Sequence, residues 1–122
     1  MNGNEDFIFD FERLEVYKKA LKFTNEVFEL TSEFGREYQY SIGDQFRRAA
    51  LSICNNIAEG SRKYGKSKQQ FYNYALDSTR ECIPMISLSA FQKQVGETKV
   101  GELRFKCIEI SRMLYRLTQS VQ

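Results

Sequence analysis

The sequence predicts an all-α protein, an up-down-up-down antiparallel four-helix bundle, formed by a single domain of residues 1–122. Three observations predict it. Four segments carry apolar residues at alternating steps of three and four, the period of a helix that buries one face. The links between them, roughly GREYQY, YGKS and the QVGE region, are short, so consecutive helices are expected to be antiparallel neighbours. No segment sustains period-two alternation, so no sheet is expected. Helices at 1.5 Å per residue make this a bundle roughly 30–40 Å long.

The first helix is expected over residues 11–34. Its seam reads Leu14, Tyr17, Leu21, Thr24, Phe28 and Thr31, with Ala20, Val27 and Phe34 alongside, and Gly35 stands where a left-handed C-terminal cap is easiest. The second is expected over 42–64, with Ser41 as N-cap and Ile42, Phe46, Ala49, Ile53 and Ile57 as its stripe. The third, over 68–94 and starting near Ser67 or Lys68, has a seam of Phe71, Ala75, Ser78, Cys82, Met85 and Ser89. Pro84 lies inside it and removes one backbone hydrogen bond, which predicts a kink rather than a break. The fourth, over 97–121, carries the cleanest heptad signal: Val100, Leu103, Cys107, Ile110, Leu114, Leu117 and Val121.

The second helix carries a polar row beside its apolar one: Gln45, Arg48, Ser52, Asn56 and Glu59. Two readings compete. The row is either a partly solvated flank whose groups satisfy one another across a bundle groove, or a contact surface for a ligand or nucleic acid. On the first, Arg48 is expected to be mostly buried and paired with Glu81 of the third helix or with Glu59.

Composition narrows the chemistry. There is no histidine, so the usual general base and nucleophile activator is missing. Cys54, Cys82 and Cys107 are far apart and form no CxxC pair, so they read as small buried hydrophobes in a reducing compartment, and no metal or cofactor is expected. Glu59 and Glu81 are the only pair of carboxylates suggested for acid–base work, and nothing beside them supports catalysis, so no enzyme is expected. Apolar runs are far shorter than the roughly 20 residues that span a bilayer. The acidic start MNGNEDFIFDFERLE has no basic n-region or apolar h-region. A cytoplasmic protein with no membrane partner is the expectation.

FERLEVYKKA in the first helix, QFRRAALSICNNIAEGSRK in the second and the spacing of Ser78 and Glu81 in the third resemble the four-helix bundle family of bacterial 23S rRNA intervening-sequence proteins. The resemblance covers nearly the whole chain. Its pattern is carried by Gln45, Arg48, Ala49, Ala50, Ser52, Asn56, Ile57, Ala58, Glu59 and Gly60. Asp77 stands where the family pattern often has glycine, a departure at a point of expected close helix approach. The resemblance implies homo-oligomers, commonly pentamers. It also implies kinship with the accessory variability determinant of diversity-generating retroelements, a basic bundle that binds a reverse transcriptase and nucleic acid. It implies neither catalytic residues nor membership of the ribosome.

Between Arg47 and Lys68 six basic residues face one acid, Glu59. Arg62, Lys63, Lys66 and Lys68, with Tyr64 among them, form an expected nucleic-acid rim that holds phosphates and stacks bases. Glu5, Asp6, Asp10, Glu12 and Glu15 are expected to make the opposite end acidic. The formal charge of the chain is only +2, so a structural adaptor that binds a protein partner is the alternative to RNA or DNA binding. Apolar residues off the stripes predict self-association: Val16, Phe23 and Leu30 on the first helix, Leu51, Cys54 and Ala58 on the second, Phe105 and Met113 on the fourth.

Overall fold

The computed structural model describes residues 7–121. Four long helices form the bundle: α1 Glu15–Ser32, α2 Asp44–Ser61, α3 Gly65–Phe91 and α4 Glu97–Ser120. There is no strand among the described residues. Each helix packs on the next and α1 packs on α4, while the backbones of the diagonal pairs stay apart, so the helices stand in cyclic order around one core. α2 against α3 is the tightest side and α1 against α4 the sparsest. Phe23, Phe46, Ile53, Ile57, Ile86, Leu103, Ile110 and Leu114 fill the centre. A second cluster of Phe34, Ile42 and Val95 closes the end that holds the α1–α2 and α3–α4 links.

The buried face of α1 differs from the expected seam. Leu21 is 49% exposed and Phe28 is also exposed, whereas Phe23 is 1% exposed and Val16 is buried beside Ala20, Val27 and Thr31. Both sets repeat every seven residues, and small side chains decide between them. The Thr24 hydroxyl donates to Ala20 O of its own helix at 2.8 Å, and α1 lies close enough to α2 for that hydroxyl to be 3.1 Å from Ala50 O and 3.4 Å from Cys54 Sγ. Val16, Phe23 and Cys54, expected at an intersubunit face, are therefore inside the chain's own core. Leu30 and Met113, from the same set, pack partly buried against it.

The expected boundaries shift where tertiary contacts intervene. A 3₁₀ turn over Asp10–Arg13 precedes α1, and an extended Leu14 separates the two. Gly35 is not left-handed, with φ −53° and ψ 149°. Gln39 instead caps α1, its side-chain amide donating to Thr31 O, Ser32 O and Phe34 O at 2.7, 3.1 and 2.9 Å. Thr31 O and Ser32 O belong to the last turn of α1, whose carbonyls have no continuing helix to accept from. Helical backbone resumes at Arg36 and passes through a π-type turn over Gln39–Gly43 into α2. Ser41 lies inside that turn and is not an N-cap; its hydroxyl donates to Glu37 O. Arg47 donates to Gln39 O at 2.8 Å, satisfying a carbonyl of the turn.

α3 starts three residues before Lys68, at Gly65, whose φ of 54° suits glycine, and runs unbroken across Pro84. It ends in a Schellman turn: Lys93 N–H donates to Ala90 O and Gln94 N–H to Ser89 O, both at 2.9 Å, with Lys93 at φ 60°.

Candidate nucleic-acid interface and polar groove

The polar row of α2 does three separate things. At one end Gln45 and Arg48, with Ala49, Ser52, Glu81, Pro84 and Met85, line a groove of about 390 Å³ between α2 and α3. Arg48 is not buried: its side chain is 80% exposed and pairs at 3.1 Å with Asp44, one turn earlier on the same helix. Neither Glu81 nor Glu59 pairs with it. At the lip of the groove the guanidinium keeps its water, so it needs no buried counter-ion. In the middle, the Ser52 and Ser78 hydroxyls meet at 2.9 Å, and the Asn56 amide donates to Ser52 O and Oγ at 2.9 and 3.0 Å. This is a hydrogen-bond ladder along the tightest helix pair. At the other end Glu59 serves the basic turn, 3.7 Å from Arg62 and 3.8 Å from Lys63.

That turn connects α2 to α3. Tyr64 is 87% exposed, and Arg62 and Lys66 also face solvent. Lys63 lies over the Phe71 ring, 5.6 Å from its centroid. Lys68 is a structural residue, donating to Ser61 O at the end of α2 at 3.2 Å and covering the Tyr72 ring. Gly60 permits this packing, because a Cβ there would stand 2.8 Å from two atoms of the Tyr72 ring.

The acidic residues are not at the opposite end. The 3₁₀ turn packs on α2, and Phe9, Asp10 and Phe11 share a groove with Glu59, Ser61 and Arg62. In an antiparallel bundle the start of α1 and the end of α2 necessarily lie together, so Asp10, Glu12 and Glu15 sit at the basic end. Glu5 and Asp6 lie outside the described residues.

The three cysteines are free and buried. Burial pushes the Cys54 thiol up, partly offset by its hydrogen bond with Thr24. The neighbouring Cys107 thiol, and then burial, hold Cys82 far above the usual thiol range, which makes it a poor nucleophile. Among the described residues, no group of three or more histidine, cysteine or acidic side chains could hold a metal ion. No helix among them is long and apolar enough to cross a membrane.

Sequence reasoning missed one charged surface. Arg80 of α3 and Arg112 and Arg116 of α4 line a common groove of about 300 Å³ with Leu76, Ser111 and Tyr115. The four-residue step from Arg112 to Arg116 was the visible signal, since it places both on one side of α4.

A polar ladder between α2 and α3, with a basic turn at one end, marks out an all-helical bundle among the described residues. Residues 12–116 match the family described as 23S rRNA-intervening sequence protein, and the chain belongs to that family. It is also similar to a solved structure from Bacteroides thetaiotaomicron, a protein of unknown function from the S23 ribosomal protein family. Identity is 20% and the TM-score 0.79, over 86% of this chain and 96% of that one, a likeness of fold. No curated protein matches the chain.

Proposed function

We propose that the protein is a non-catalytic, self-associating bundle that binds nucleic acid at the end formed by the α2–α3 turn. One observation carries this reading: Tyr64, 87% exposed, stands between the solvent-facing cations Arg62 and Lys66. Cations hold phosphates without reading sequence, and an exposed aromatic ring stacks any base. Glu59 and the adjacent Asp10 lower the local charge, so one turn binds weakly. A cyclic homo-oligomer repeats the turn around a rim and converts weak contacts into avidity. Self-association is supported by exposed apolar residues, Leu51 on α2 and Phe105 on α4, the latter 66% exposed. Five subunits is the number the family resemblance implies.

Two measurements test this. Light scattering should give a multiple of the 14.3 kDa chain mass, and a monomer at micromolar concentration would sink the rim. Fluorescence anisotropy with labelled RNA and DNA should show affinity falling steeply with salt. Arg62→Gln/Lys63→Gln/Lys66→Gln should keep the oligomer mass and weaken binding. Equal binding by that variant would remove the turn as the surface. Lys68 is left intact because it caps α2. A protein adaptor would instead bind its partner through apolar contacts with little dependence on salt.

A further inference from the structure

The α3–α4 groove is lined by three arginines, Arg80, Arg112 and Arg116. Arg80, Arg112 and Arg116 are exposed along it, over the largely buried Leu76. None of the three has a carboxylate within 4.0 Å among the described residues, whereas Arg48 on α2 and Arg62 in the turn after it each have one. Glu81, adjacent in sequence to Arg80, lines the α2–α3 groove instead. Guanidiniums that line one groove without an ion-pair partner repel one another, and a bound polyanion relieves that repulsion.

The groove's chemistry selects among polyanions. Its charged and polar lining consists of side chains on two regular helices, whose mid-helix N–H groups are used within the helices. It therefore lacks the backbone donors that cradle a single phosphate at a helix N-terminus. Arginine forks spaced along an open groove suit successive phosphates. Tyr115 is also exposed in the lining, a ring on which an unpaired base stacks and which a run of carboxylates would not use. The groove also points toward the basic turn. Lys66, Gln69, Leu76 and Arg80 follow helical spacing along one side of α3, and Gln69 donates to Thr118 O of α4 at 2.9 Å. From Lys66 to Arg80 this stripe is about 21 Å long at 1.5 Å per residue.

We propose that the α3–α4 groove is a track for single-stranded nucleic acid, with phosphates on Arg80, Arg112 and Arg116 and a base on Tyr115. It rests on the nucleic-acid reading above and extends the contact from the turn along the side of each subunit.

The test uses the whole oligomer and a fluorescein-labelled oligouridylate. Arg80→Gln/Arg112→Gln/Arg116→Gln should weaken binding by about tenfold or more at ~0.1 M salt. It should also flatten the slope of log K against log salt by about 2, since each phosphate neutralised on a single strand adds about 0.7 to that slope. Tyr115→Ala should weaken binding and leave the slope unchanged. Melting and mass are checked in parallel; if the triple variant unfolds, Arg112→Gln alone should flatten the slope by about 0.7. Photocrosslinking of 4-thiouridine should label Tyr115. Full binding by the groove variant, with weakened binding by the turn variant, would leave the turn reading standing and overturn this one. No binding by the unmodified protein would overturn both. Equal competition by polyglutamate, with no effect of Tyr115→Ala, would make the groove a site for acidic peptides and overturn the assignment.

Discussion

The hydroxyls of Ser52 and Ser78 lie 2.9 Å apart across the α2–α3 contact, and Asn56 donates to the same Ser52 hydroxyl. The middle of the polar row is thus a structural ladder, while its Arg48 end is solvated. Ser52→Ala should remove a partner from both Ser78 and Asn56 and destabilise the fold by about 1 kcal/mol. Arg48→Met should change stability by no more than about 0.5 kcal/mol, as an exposed pair contributes little. Chemical denaturation midpoints check both. A large loss for Arg48→Met with none for Ser52→Ala would reverse the assignment.

Two glycines in helices should respond oppositely to alanine. At Gly60 the new Cβ meets the Tyr72 ring at 2.8 Å and Phe71 Cβ at 3.2 Å, and Tyr72 is pinned in the core under Lys68. Overpacking outweighs alanine's better helix propensity, so Gly60→Ala should cost about 1–3 kcal/mol. At Gly101 an added Cβ would meet, within 4 Å, no atom of the described residues beyond its chain neighbours and its own helix's backbone. Gly101→Ala should stabilise α4 by up to about 1 kcal/mol. Thermal melting of the pair decides, and equal shifts in one direction would refute the packing argument.

How far these features were legible in the sequence depends on whether they are local. The four helices follow from apolar period alone, which is why the core positions Phe46, Ile53, Leu103 and Leu114 agree with their stripes. The face of α1 was ambiguous because Leu14–Leu21–Phe28 and Val16–Phe23–Leu30 share one repeat, and they are separated by the packing of α1 on α2, with Thr24 against Ala50 and Phe23 against Phe46. The start of α2 depends on Gln39 turning back to cap α1, a contact no helical pattern encodes. Arg48 illustrates the limit of a helical wheel, which gives direction but not depth. The arginine groove joins Arg80 to residues some thirty positions later, so it exists only once α3 and α4 pack.

Ser89 is fully buried on α3, and its hydroxyl has no hydrogen-bond partner among the described residues. A buried hydroxyl without a partner carries an uncompensated desolvation cost. Ser89→Ala should therefore be neutral or stabilising by up to about 1 kcal/mol, unlike most core truncations. A clear loss of stability in denaturant would mean that the hydroxyl is satisfied in solution.

Glu26 of α1 accepts hydrogen bonds from Lys106 and Lys99 of α4, at 2.8 and 3.2 Å, across the sparsest side of the bundle. Burial alone would raise its carboxyl, but the two lysines outweigh it and hold the group below its ordinary value of 4.5. A lowered acid stabilises the fold fully above its unfolded value. That contribution is lost as pH falls through the lowered folded value. Lys99 shifts upward, mainly through Glu26 and then Glu102, so its share is present below 10.5 and lost as pH rises through its higher folded value. Both lysines are partly exposed and solvent screens the pair, so Glu26→Gln should cost about 1 kcal/mol at neutral pH. The difference between wild type and variant should vanish as pH falls below the lowered value, where the carboxyl is protonated in both folded and unfolded chains. Melting curves from neutral to acidic pH read this directly. A difference that persists undiminished in acid would show that Glu26 acts by packing and not by charge.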